Sequence, residues 1–125
     1  MIDEAIRKEL EHGHLIDITT IGRRSGRQRR LEITFHNVGG HLYISGSPSP
    51  RRRSWIANLA ANPNFTFHLK RRIKADLPAT ARIIDDESER RTILPHIARR
   101  WGVNDVERMI RQSPLIEVTI DSTAS

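Results

Sequence analysis

The chain has 125 residues, 21 Lys+Arg against 15 Asp+Glu, a formal net charge of +6 and a sequence pI of about 10.9. That length predicts one compact domain over residues 1–125. No apolar run approaches the roughly 20 residues that span a bilayer, and the lack of cysteine excludes disulfides, thiolate metal sites and cysteine nucleophiles.

The opening MIDEAIRKELEHG is charged and has no apolar signal-peptide core, so a soluble, cytoplasmic domain is expected. Residues 2–12 form a short helix in this reading, with Ile2, Ala5, Ile6 and Leu10 on one face and Gly13 as the stop. A strand follows over 14–21. Residues 30–36 alternate cleanly, with Leu31, Ile33 and Phe35 sharing a face, which predicts a second strand. Between them, GRRSGRQ reads as a long cationic hairpin connection. Asn37-Val38-Gly39-Gly40 signals a tight turn into a third strand, 41–46.

Pro48 and Pro50 make SPSPRRR a loop. Ser54 is expected to cap a short helix that Asn62-Pro63 ends. Residues 64–70 alternate with Phe65, Phe67 and Leu69 inward, and 79–85 form a fifth strand that begins nearer Lys74. Asp85-Asp86 with Glu89 opens a helix toward Trp101, which Pro95 should kink or split and Gly102 should end. Asn104 with Glu107 reads as the capping box of another helix, and 115–121 as a last strand. The predicted class is mostly β with α. Six antiparallel strands joined by short turns should curl into a barrel with helices covering its open ends.

The charge is concentrated. Residues 18–75 hold 12 basic residues and a single acid, Glu32, while the rest of the chain is net acidic. Three clusters carry the excess: Arg23, Arg24, Arg27, Arg29, Arg30; then Arg51, Arg52, Arg53; then Lys70, Arg71, Arg72, Lys74. Such a segment predicts an anionic partner, either a phosphorylated or carboxylated cofactor, a nucleic acid or an anionic membrane, against the plainer possibility of a solvated basic face.

Two loops carry the candidate chemistry. Gly22-Arg-Arg-Ser-Gly26 with Arg27 and Arg29 combines exposed backbone N–H groups, a hydroxyl and guanidinium forks suited to phosphate or carboxylate. It lacks the GK[ST] of a phosphate-binding P-loop, and an exposed hairpin tip would look similar. Ser45-Gly-Ser-Pro-Ser-Pro-Arg-Arg-Arg-Ser54 joins a strand end to a helix N-terminus, another place where anions bind, with Trp55 and Asn58 in the first helical turn. The histidines show no metal-ligand spacing, and no GxSxG elbow is present, so neither a metal nor serine hydrolysis is expected. Aromatics are only 5% of the chain, which disfavours single-stranded nucleic acid.

Three stretches in order resemble one family. Asp17-Ile-Thr-Thr-Ile-Gly-Arg-Arg-Ser-Gly26 with Arg29 is similar to the "TTxGRxSGxxR" opening of the deazaflavin-dependent nitroreductase family. Asn37-Val-Gly-Gly-His-Leu-Tyr-Ile-Ser45 resembles its gly-gly hairpin, and Ser54-Trp-Ile-Ala-Asn-Leu-Ala-Ala-Asn-Pro63 its "WxxNLxANP" helix. Ala79-Thr-Ala-Arg82 is a fourth, weaker match. The resemblance implies a split β-barrel of the FMN-binding type and the coenzyme F-420, an anionic hydride carrier, with FMN as the alternative. Arg23, Arg24, Ser25, Gly26 and Arg29 would hold its phosphate or tail. Ser45, Gly46, Ser47, Arg53, Ser54 and Trp55 would line phosphate and ring, with Asn58 anchoring the helix beside them. The loop before Trp55 is one residue shorter than the family pattern. The family's C-terminal tyrosines are missing, which leaves Tyr43 and Trp101 as catalytic candidates. The implied function is hydride transfer to a small electron-poor acceptor of the nitro, quinone or enone class, in a homodimer. The alternatives are a non-catalytic flavin or deazaflavin carrier and a basic nucleic-acid-binding domain.

Overall fold

The computed structural model describes residues 3–121. Its elements are α1 (Glu4–Glu9), β1 (Leu15–Ile21), β2 (Gln28–Val38), β3 (His41–Ser45), α2 (Ser54–Ala61), β4 (Asn64–Lys70), β5 (Lys74–Ile83), α3 (Glu87–Trp101), α4 (Val106–Gln112) and β6 (Leu115–Ile120). All strand pairs are antiparallel, and the sheet closes in the order β1-β2-β3-β6-β5-β4, with β4 returning to β1. The expected barrel is therefore present. None of the helices among the described residues is long and apolar enough to cross a membrane.

Period-two alternation divides the apolar residues between two cores. Ile16, Ile18, Phe35, Leu42, Ile44, Phe67, Ile116 and Val118 point into the barrel. Leu10 of the α1 C-cap and Ile56 and Leu59 of α2 join them from opposite ends, so α1 and α2 act as plugs. The other faces of β3 and β6 carry Tyr43 and Leu115, which pack outside the barrel against Ile93, Leu94, Ile97, Met109 and Ile110 of α3 and α4. The helices thus do more than cover open ends, because α3 and α4 clad one wall.

Several local expectations change. β2 is longer than its alternating run, because it pairs with β1 through Thr34 and then with β3 from Phe35 to Val38. Ser54 is the first residue of α2 and not its cap. The cap position is Arg53, whose side chain makes no capping bond. Asp105, not Asn104, caps α4 by accepting from the Arg108 N–H at 3.0 Å. Asp86 caps α3 as expected, accepting from Glu89 N–H at 2.8 Å. α3 runs unbroken past Pro95, since Ile93, Leu94, Ile97 and Ala98 on both sides of the proline are buried in the outer core.

The barrel also sorts the three basic clusters. β1 ends at the arginine hairpin, and β4, antiparallel to it, ends at Lys70. Residues 70–74 therefore lie at the opposite end from the hairpin tip that carries Arg23, Arg24 and Arg27, whereas Arg30, farther along β2, shares Asp17 with Lys70. There Lys70 is ion-paired to Asp17 at 2.7 Å and to Glu32.

Candidate functional site

Two adjoining clefts open at the arginine end of the barrel. The first, of about 510 Å³, lies between the β1–β2 hairpin and α2. Its walls include Arg23, Arg24, Ser25 and Arg29 from the hairpin and Ser54, Trp55 and Asn58 from α2. The second, of about 320 Å³, lies between β2, the loop after β3 and the end of α3. Ser45, Gly46, Ser47, Arg53, Trp55 and Trp101 line it. Leu31 and Trp55 belong to both, so the clefts form one trough with a shared apolar sill. Sequence patterning placed Leu31 on the inward face of β2. That it tops the barrel beside Trp55 depends on the α2 docking, which alternation does not encode.

The hairpin is held by its own backbone. Gly22 N–H donates to Arg27 O at 2.8 Å, and Gly26 N–H to Gly22 O at 2.9 Å. Gly26 has φ +69°, a left-handed conformation that favours glycine. Ser25 Oγ accepts from Arg27 N–H at 3.1 Å. Gly26 therefore shapes the turn and lines neither cleft, and the Ser25 hydroxyl is engaged in the turn. Asn58, almost fully buried, accepts from both the backbone N–H and Nη1 of Arg23 at 3.1 Å. This one amide ties α2 to the hairpin, and so fixes the width of the first cleft.

Charge in the first cleft is one-sided. Among the described residues, Arg30 is paired to Asp17 at 2.9 Å, while Arg23, Arg24 and Arg29 have no carboxylate within ion-pair distance. Thr20, opposite Arg29 in the β1–β2 register, is buried with its hydroxyl unpartnered. In the second cleft Ser45 is buried and donates its hydroxyl to Pro114 O at 2.7 Å, so it is not free to hold an anion. Arg53 Nη2 donates to Ser47 O at 2.8 Å, which braces the loop. Gly46 is closely covered, since a Cβ there would stand 3.3 Å from Pro114 Cγ.

The two catalytic candidates separate. Tyr43 is buried under α3 and α4 and lines neither cleft, and burial raises the pKa of its hydroxyl. The strand period explains this, because Tyr43 faces away from its neighbours Leu42 and Ile44. Trp101 stays at the second cleft, 39% exposed. Its ring meets that of His36 edge-on, with centroids 4.8 Å apart.

His36 is 2% exposed, and its Nε2 has no partner. Burial, reinforced by the Arg100 charge, lowers its pKa from 6.5 to about 4. The folded protein therefore keeps His36 neutral where the unfolded chain takes up a proton. Stability is complete above the unfolded pKa and falls as pH drops from about 6.5 toward 4, by about 3 kcal/mol in all from this group. His36→Phe should remove that acid limb. Urea melts near neutrality and at about pH 4.5 check it, and an unchanged acid loss in the variant would refute it.

The closed antiparallel barrel and its flanking helices define a split-barrel-like class of fold. Within that class the model of the F420H(2)-dependent quinone reductase family matches residues 3–122, and the chain belongs to that family of oxidoreductases.

Solved structures share the fold at low identity. A conserved hypothetical protein from Mycobacterium tuberculosis superposes with a TM-score of 0.69 at 14% identity, covering 96% of this chain and 81% of that one. The haem-storage protein HutZ from Vibrio cholerae gives 0.65 at 14%, covering 95% and 87%. A structure of an F420-H2 dependent reductase gives 0.53 at 23%, covering 84% and 93%.

Proposed function

We propose that residues 1–125 act as one domain that binds reduced F-420 in the trough and directs its hydride to a small electron-poor acceptor of the quinone, nitro or enone class. The observation that carries this is the polarity of the trough: unpaired guanidinium groups at one end, Trp55 and Leu31 in the middle, Trp101 at the other. The donor set fits the cofactor, since a phosphorylated, glutamylated tail needs cations and a flat ring needs an apolar slot. The family name supports F-420 and lends nothing to FMN.

When bound, F-420 supplies a two-electron hydride equivalent. Arg23, Arg24 and Arg29 hold the anionic end, and the first-turn N–H groups of α2, at Ser54 and Trp55, add donors beside it. Trp55 and Trp101 flank the second cleft and set the plane in which an acceptor lies. Among the described residues Glu32 is the one carboxylate on that cleft's lining and is ion-paired to Lys70, so the proton that follows the hydride is drawn from water. The cytoplasmic, homodimeric state expected above belongs to the same proposal.

Arg29→Ala should weaken F-420 binding by about 1–3 kcal/mol, the worth of a charged hydrogen bond. Calorimetric titration of both proteins with F-420 and FMN measures it. No micromolar binding of F-420 overturns the proposal. Binding without oxidation of the reduced cofactor by menadione, nitroaromatics or enones leaves a carrier. Tight oligonucleotide binding with a steep salt dependence would instead point to nucleic acid.

A further inference from the structure

A third cavity, of about 230 Å³, opens at the same end of the barrel, on the α4 side of the loop between β3 and α2. Arg51, Arg52 and Arg53 line it from the loop, Arg111 from the last turn of α4, and Arg90 from α3. The carboxylate on its lining is Asp85, which is exposed and takes Arg52 at 3.2 Å. Among the described residues, no carboxylate lies within ion-pair distance of Arg51, Arg53, Arg90 or Arg111. The loop is fastened to α4 by the Ser49 N–H, which donates to Gln112 O at 3.0 Å.

Two buried groups sharpen the chemistry. Arg90 is 8% exposed and gives four hydrogen bonds to backbone carbonyls, two of them from Nη2 and one each from Nε and Nη1. A guanidinium has five N–H groups, so one on Nη1 is left over. Its charge is desolvated and has no carboxylate in ion-pair contact, the exposed Asp85 acting on it only from beyond that distance, an arrangement that costs free energy unless an anion comes nearer. Ser113, 3% exposed, also lines the cavity, and its hydroxyl has no partner. The cavity is thus rich in unsatisfied donors and in positive charge.

We propose that this cavity is a second anion site, adjoining the F-420 trough through Arg53 but distinct from it, that takes a phosphate group. Several oxygens on one small centre match guanidinium forks arriving from the loop and from α4, with the Ser113 hydroxyl and the spare Arg90 N–H at its base. The same phosphate chemistry could belong to a free phosphate or phosphate monoester, or to the phosphate of F-420 itself. We assign it to the former, because Arg111 and Ser113 line this cavity and neither of the trough's clefts.

Calorimetric titration of the whole protein with inorganic phosphate, at constant ionic strength, tests this. Saturable binding of one phosphate per chain is expected. Arg111→Gln, a change at an exposed helix position, should weaken it tenfold or more, and Ser113→Ala should weaken it less. Arg29→Ala should leave it unchanged, as should saturating F-420. No saturable binding overturns the proposal, and so does binding that survives Arg111→Gln. Loss in Arg29→Ala, or displacement by F-420, assigns the phosphate to the trough and overturns it too. Failure of F-420 to bind at all would leave the phosphate titration intact, so the two proposals fail separately.

Discussion

Replacing Arg90 by leucine should lower the unfolding free energy by about 3–5 kcal/mol, and the melting temperature by roughly 10–20 °C. The guanidinium donates to Ile110 O at 2.8 Å, Ile84 O at 2.9 Å, Met109 O at 3.3 Å and Ser113 O at 2.5 Å. These carbonyls lie at the last turns of α4, at the turn into β6 and just past β5. One side chain from α3 therefore closes the backbone of three segments that no ladder closes. Leucine fills much of the volume but leaves the Ile84, Ile110 and Ser113 carbonyls without this donor, each costing about 1–3 kcal/mol with partial relaxation toward water, while Met109 O keeps the Ser113 N–H at 2.9 Å. Lysine should recover less than half of the loss, since one ammonium cannot reach carbonyls spread around a planar fork. Thermal and urea unfolding of the three proteins decide it. A loss below about 1 kcal/mol for the leucine variant would mean the carbonyls find water at little cost.

Phe35→Ala should cost about 3–5 kcal/mol, the range for emptying a large buried ring. Phe35 is fully buried and stacks edge-on with Phe67 at 5.2 Å and His14 at 4.9 Å between centroids. It also stands where β2 leaves β1 and takes up β3. The chain passes tightly over it, since a Cβ on Gly13 would come within 2.3 Å of the Phe35 carbonyl oxygen. The strands around the ring are held by a closed ladder and cannot move far into the void, so the cavity persists. The denaturant midpoint should fall with little change in slope. A loss under about 1.5 kcal/mol would show that the barrel refills the space.

Strands with a clean period were legible from the residues alone. Phe65, Phe67 and Leu69 of β4 and Leu42 and Ile44 of β3 all face inward as alternation requires. Elements set by partners were less so. Gln28 and Arg29 carry no apolar pattern and are strand because Ile21 and Thr20 lie opposite them. Asn104 and Asp105 are adjacent residues of equal capping chemistry, and the turn after Gly102 selects the second. The arginine hairpin and the proline loop were readable as cationic loops. Their convergence on Trp55 and Leu31 was not, because the docking of α2 through Asn58 creates it. Arg90 had no sequence signal, since a basic residue beside Arg91 on a charged helix reads as solvated.

β6 leaves the ribosome after the five other strands of the barrel, and it is the one that seals the wall. β6 lies between β3 and β5, pairing Leu42 with Val118 on one side and Ala81 with Val118 on the other. Until it is in place, β3 and β5 both present open edges with unpaired N–H and C=O groups, next to apolar residues destined for two cores. The nascent chain therefore passes through an interval in which five strands are made but two edges can pair with a neighbouring molecule. Bringing 42 to 118 also closes a long loop, so this step is slow compared with forming the β1–β2 and β4–β5 hairpins. The risk of misassembly is thus concentrated in β6, far in sequence from the arginine hairpin that lines the proposed cofactor trough.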